Sequence, residues 1–196
     1  MNLARLKVET AAAHSRMESL VPLMSPTLEQ DRYRMVLRHF YGFIRSWEVW
    51  SMANVPAELR PMLMERERSN LLKADLRYFG EHLPEFLYMP PARDTKSRAA
   101  FLGAMYVIEG STLGGQHIAR HVEDILGLSP GQGDSYFRGY GDRTKLMWRQ
   151  FQEVINAVPD DDADEVITSA GDMFFAFGEW MRHLEPTDNS KGEKAL

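Results

Sequence analysis

The chain has 196 residues and a net charge of −5, long enough for one domain with a substantial core and without the basic excess that nucleic-acid binding calls for. Its 44% apolar and 26% charged residues are the balance of an ordinary globular protein. Cysteine is absent, which excludes disulfides, iron–sulfur ligation, thiolate-bound metals and cysteine nucleophiles.

No apolar run approaches the roughly eighteen residues that span a bilayer. The opening MNLARLKVETAAAHSRME lacks the apolar centre of a signal peptide. The expectation is a cytoplasmic protein that uses neither membrane nor nucleic acid. Residues 2–20 carry an apolar stripe through Leu3, Leu6, Thr10, Ala13, Met17 and Leu20, and so predict an amphipathic helix ending before Pro22. Ser25 or Thr27 offers a cap for a second, aromatic-rich helix over 28–54. A third helix is predicted from Pro56 or Pro61 to about Tyr78. Pro84, Pro90 and Pro91 make HLPEFLYMPPARDT a loop. A long helical pattern over 96–127 stops at Gly127 and Pro130, the stretch SPGQGDSYFRGYGDRT is turn-rich, and two more helices follow at about 142–157 and 161–184. Without repeats or alternating strand patterns, the fold class is all-α: one helical-bundle domain over 1–185 with a polar tail over 186–196.

Three groups of residues invite a chemical reading. On the first helix Lys7, His14 and Glu18 share a line at the edge of the apolar stripe, since seven residues make about two turns and four about one. One ring nitrogen of His14 can face a pocket while Glu18 accepts from the other, the arrangement that fixes the tautomer of a metal-binding imidazole. A partly exposed histidine beside an acid fits the same spacing. In MYVIEGSTLGGQHIARHV, Gly110 and Gly114 lie one turn apart, Gly103 extends their line and Gly115 adjoins it. Each glycine costs about 1 kcal/mol against alanine in a helix interior. Either a second helix packs very close to the bare backbone or a flat ligand lies against it. Lys145 and Arg149, also one turn apart with Trp148 beside them, form a clamp for a dianionic ligand or a solvated basic edge. His117 and His121 have a metal-binding spacing with Glu109 two turns before, but no further ligands are evident from spacing. Phe174, Phe175, Phe177 and Trp180 read as core.

These segments, taken together and in this order, resemble the haem oxygenase family. LKVETAAAHSRME resembles the helix that carries the family's iron ligand, with His14 at the ligand position, Glu18 at its hydrogen-bonding acid and Lys7 at a basic position seven residues before. MYVIEGSTLGGQ resembles the distal helix, whose glycines let the backbone cross the opposite haem face. TKLMWR resembles the propionate-binding helix, and AFGEW the final aromatic-rich helix. The resemblance implies a haem-bundle fold over residues 3–184, with haem as substrate and cofactor held by His14. Lys7, Tyr106, Lys145 and Arg149 would fix its in-plane rotation, and Gly110, Ser111, Gly114 and Gly115 would form the distal wall.

The implied reaction consumes haem, O2 and electrons and gives biliverdin, the alpha isomer favoured, with ferrous iron and carbon monoxide. Electrons would come from a ferredoxin or a reductase, because the chain shows no flavin, nicotinamide or iron–sulfur motif. Mammalian members carry aspartate where Ser111 stands. Serine there resembles the bacterial branch, including the enzymes associated with bacteriophytochromes, and implies a phytochrome as consumer of the product. A haem carrier or sensor on the same His14 site is the alternative.

Overall fold

The computed structural model describes residues 3–83 and 97–182, and among these only helix, turn and irregular backbone occur. The seven α-helices are α1 Leu3–Leu20, α2 Gln30–Asn54, α3 Arg60–Met64, α4 Ser69–Tyr78, α5 Arg98–Leu126, α6 Thr144–Asn156 and α7 Ala163–Met181. Their buried faces follow the 3.6-residue period. On α2, Tyr33, Val36, Leu37, Phe40, Phe43, Ile44 and Trp47 are all buried. They meet α7 through stacked Phe43 and Phe177, whose ring centroids lie 4.2 Å apart, and Phe40 closes edge-on against the same ring at 5.1 Å. The aromatic run near the C-terminus is therefore core, except for exposed Phe175. Helix α7 is the hub: α5, α1 and α2 all pack on it, while α6 joins α5 and α1 from the side.

The predicted third helix is broken. A 3-10 turn over Ala57–Leu59 leads into α3, the chain unwinds over 65–68, and α4 starts afresh at Ser69. The break has a tertiary cause. The buried Glu48 carboxylate on α2 accepts the backbone N–H groups of Arg68 at 2.6 Å and Ser69 at 2.8 Å, so the start of α4 is capped by a distant helix. Neither Ser25 nor Thr27 caps α2, which begins after Glu29 without a side-chain cap. Ser25 Oγ instead accepts from Thr27 N at 3.2 Å within the connecting turn. Helix α5 runs unbroken through its glycines. It starts on Ser97 Oγ, which accepts from Ala100 N, and stops at Gly127, whose φ of 66° is the left-handed cap expected there. The predicted loop at 82–95 and the polar tail fall largely or wholly outside the described residues.

The connection between α5 and α6 is held from below. Both carboxylate oxygens of buried Asp75 accept backbone N–H groups, from Ser135 at 2.9 Å and Tyr136 at 2.8 Å, and Tyr33 Oη donates to Gly133 O at 2.7 Å. These bonds press Phe137 against α5.

Candidate functional site

On α1 the side chain of His14 is 52% exposed, so its ring is open to a ligand. Its position is nevertheless defined. Nδ1 lies 3.4 Å from Glu18 Oε2, and the ring stands edge-on to the buried Phe174 of α7 at 5.6 Å between centroids. Neither ring nitrogen makes a hydrogen bond among the described residues, so Nδ1 faces the Glu18 carboxylate and Nε2 is available.

The glycines of α5 divide into two kinds. A Cβ on Gly103 would land on the carbonyl oxygen of Val166 in α7, with Ser169 Cβ at 2.9 Å. A Cβ on Gly115 would come within 2.5 Å of the Phe137 carbonyl oxygen. Those two admit close neighbours. Gly110 and Gly114 have no described residue within 4 Å of the same position. The Gly103 to Gly114 line predicted from spacing therefore lies on one face of the helix, but α7 covers it at Gly103 and leaves it open farther on. Gly115 turns toward the α5–α6 connection, so its missing side chain serves packing.

Tyr106 stands one turn before Gly110 on this same face. Trp148 of α6 leans on its ring at 6.1 Å between centroids. Burial raises the Tyr106 hydroxyl above its ordinary range, partly offset by Thr10. The glycine helix and the Lys145/Arg149 helix thus meet at Tyr106 and Trp148. Lys7, Lys145 and Arg149 are exposed and form no ion pair among the described residues. An open backbone strip, an oriented imidazole with a free nitrogen and unpaired cations fit a flat, metal-bearing, dianionic molecule such as haem.

Ser111 is half-buried, and its Oγ donates to Ile108 O at 2.7 Å. Behind it lies a buried polar cluster that spacing did not reveal. Arg68, 2% exposed, donates to Ile108 O at 2.8 Å and lies over the rings of Tyr136 and Tyr140 at 5.0 and 5.4 Å. Arg66 pairs with Glu109, which also accepts from Tyr140 Oη at 2.7 Å. Burial raises both tyrosine hydroxyls, against the pull of the Arg68 charge. Tyr136 faces Ser111, yet its hydroxyl makes no hydrogen bond of good geometry. The one signal for this cluster in the sequence was ERER at 65–68, a charge run whose two arginines fold inward while its glutamates stay exposed. Glu109 is thereby committed to Arg66. His117 is exposed and His121 Nε2 donates to Ser25 O at 2.9 Å, and no group of three or more metal-binding side chains gathers among the described residues.

Comparison with known proteins agrees with this geometry. Residues 1–183 match the family described as Heme oxygenase. Heme oxygenase PigA of Pseudomonas aeruginosa is 27% identical over 179 residues, covering 90% of this chain and 89% of that protein. A heme oxygenase of Xanthomonas campestris is 34% identical over 134 residues, covering 65% and 74% respectively. Among solved structures, the NO- and CO-bound heme oxygenase of Neisseria meningitidis superposes with a TM-score of 0.76 at 23% identity, covering 92% of this chain and 90% of that one. The heme oxygenase of Leptospira interrogans gives 0.71 at 21%, covering 93% and 100%. At those identities the structures speak for the fold, and the match over nearly the whole described chain settles the family: this protein belongs to the haem oxygenases.

Proposed function

We propose that the protein is a working haem oxygenase that cleaves haem to biliverdin, with the alpha isomer as main product, and releases ferrous iron and carbon monoxide. The observation that carries this reading is the pairing of His14, oriented by Glu18 with Nε2 free, with the open backbone at Gly110 and Gly114. Haem is the substrate and supplies the iron at which O2 is activated. His14 would hold it as a neutral imidazole, without the electron push that a thiolate provides. Gly110 and Gly114 leave room for the distal backbone to lie close over the ring and keep bulky groups away. Ser111 Oγ, already polarised by its bond to Ile108 O, would pass a proton through ordered water. Lys7, Lys145 and Arg149 would hold the propionates, and Tyr106 would stand at the rim between them.

Electrons would come from a ferredoxin or reductase. Ser111 in EGSTLGG supports the bacterial branch, and a bacteriophytochrome is the proposed consumer of biliverdin. No described helix is long and apolar enough to cross a membrane, in keeping with a cytoplasmic site of action.

Hemin added to the purified protein and then reduced under air tests the reading. Loss of the Soret band with growth of a biliverdin band is expected. A stable oxy-complex would identify a carrier or sensor instead. His14→Ala should abolish the native axial-ligand spectrum, and an unchanged spectrum would refute His14 as the ligand.

A further inference from the structure

Ser111 donates to a carbonyl that it shares with a buried arginine. Ile108 O accepts Ser111 Oγ at 2.7 Å and, from a distant stretch of chain, Arg68 Nη2 at 2.8 Å. A carbonyl oxygen has two lone pairs, and in a helix one of them serves the backbone N–H four residues on. Ser111 and Arg68 therefore compete for what remains.

They are unequal competitors. The Arg68 donor is charged, which makes its bond the stronger of the two. It is also fixed at both ends. Its backbone N–H is held by Glu48 Oε1 at 2.6 Å, and its guanidinium lies over the rings of Tyr136 and Tyr140 at 5.0 and 5.4 Å. The Ser111 hydroxyl is neutral, belongs to a half-buried residue and turns about a single bond. Each donor draws electron density from the shared oxygen and leaves less for the other, so the serine is the one weakly held.

We infer that Arg68 is a positioning residue for Ser111: by taking the stronger share of the Ile108 carbonyl, it leaves the serine hydroxyl free to turn toward a better acceptor on the open face beside Gly110 and Gly114. On the haem oxygenase reading, on which this last step rests, that acceptor is the ligand on the haem iron. The grip itself belongs to the hemin-free chain and is testable there.

Arg68→Met keeps much of the bulk, removes the competing donor and leaves the backbone N–H that Glu48 holds. In hemin-free protein, Ser111→Ala should lower the melting temperature by about 2–4 °C more in the Arg68→Met background than in the native one, the scale of one recovered hydrogen bond. A purely structural arginine gives additive losses, and additivity overturns the inference. Should Arg68→Met fail to fold, Ser111→Ala alone decides. Competition is reciprocal, so the Arg68 Nη proton should move downfield in the NMR spectrum once the serine hydroxyl is gone, and an unmoved resonance overturns the inference.

With hemin bound, the pH at which the ferric complex passes from its acid to its alkaline absorption spectrum reads hydrogen-bond donation to the iron ligand. Ser111→Ala should raise that pH by about half to one unit, the size of one hydrogen bond. Arg68→Met should raise it as well in the native background, and hardly at all once Ser111 is alanine. A shift of equal size in both backgrounds means that the arginine charge acts through space, and overturns the inference. A transition that Ser111→Ala leaves unmoved refutes the proton role proposed for Ser111 above, while the hemin-free measurements still decide whether Arg68 governs its hydroxyl. Failure of native protein to bind hemin through His14 refutes the proposed function and is visible before any variant is made.

Discussion

One helix face of α5 is used in two opposite ways along its length. At Gly103 the backbone is bare so that α7 can reach it: the Val166 carbonyl sits where a side chain would begin, and Ser169 Oγ donates to Ala100 O at 2.6 Å one turn away. At Gly110 and Gly114, two and three turns on, the backbone is equally bare and no described residue covers it. The same residue type on the same face thus marks a finished contact in one place and a stretch of uncovered backbone in the other. The helix itself does not distinguish them. The difference is where α7 stops covering it.

That contrast gives substitutions of opposite sign. Gly103→Ala should be the most damaging, because its Cβ would press on the Val166 carbonyl and on Ser169 Cβ, neither of them the far end of a flexible side chain. A loss on the order of 3 kcal/mol in denaturant unfolding is expected, and a neutral result would show that α7 is not pressed on α5 there. Gly115→Ala faces the Phe137 carbonyl, which belongs to a connection rather than a helix and can shift, so a smaller loss of about 1–2 kcal/mol is expected.

The tightness of that second contact depends on Asp75, which holds the connection by two backbone N–H groups. Asn at this position keeps one acceptor and should cost about 1–2 kcal/mol. Its pH dependence is distinctive. Burial raises the Asp75 carboxyl above the ordinary aspartate range, despite the backbone bonds that pull it down. A carboxyl raised in the folded state contributes most in acid, and that contribution is lost as pH climbs through its folded value. The deficit of Asp75→Asn should therefore be larger in mild acid than at neutral pH, and urea titrations of both proteins across that range would reveal the opposite trend if it existed.

Gly110→Ala should be the mildest in the hemin-free protein: unchanged, or more stable by up to about 1 kcal/mol from helix propensity. Its effect should appear only with substrate, as hemin binding weakened by about tenfold, followed by absorption titration. Destabilisation of the free protein would mean that this face is not open after all.

Much of this architecture could be read in advance. The apolar period placed α1, α2, α5, α6 and α7 within a few residues, and Gly127 with its left-handed φ ended α5 where the pattern stopped. The spacing of His14 and Glu18 anticipated an imidazole beside a carboxylate one turn away. These are local relations, fixed by 3.6 residues per turn, and they survive whatever the rest of the chain does. The break at 65–68 was invisible because its cause is a carboxylate from α2, some twenty residues away. The polar cluster of Arg66, Arg68, Glu109, Tyr136 and Tyr140 was invisible for the same reason, since its members come from three stretches of chain far apart in sequence.

The sequence alone determined a helical bundle, the family it resembles and the helix faces on which chemistry would sit. Only the tertiary structure decided which glycines are filled by a neighbour and which stand open. Helix periodicity says which residues look the same way, but what they look at depends on partners brought from elsewhere in the chain.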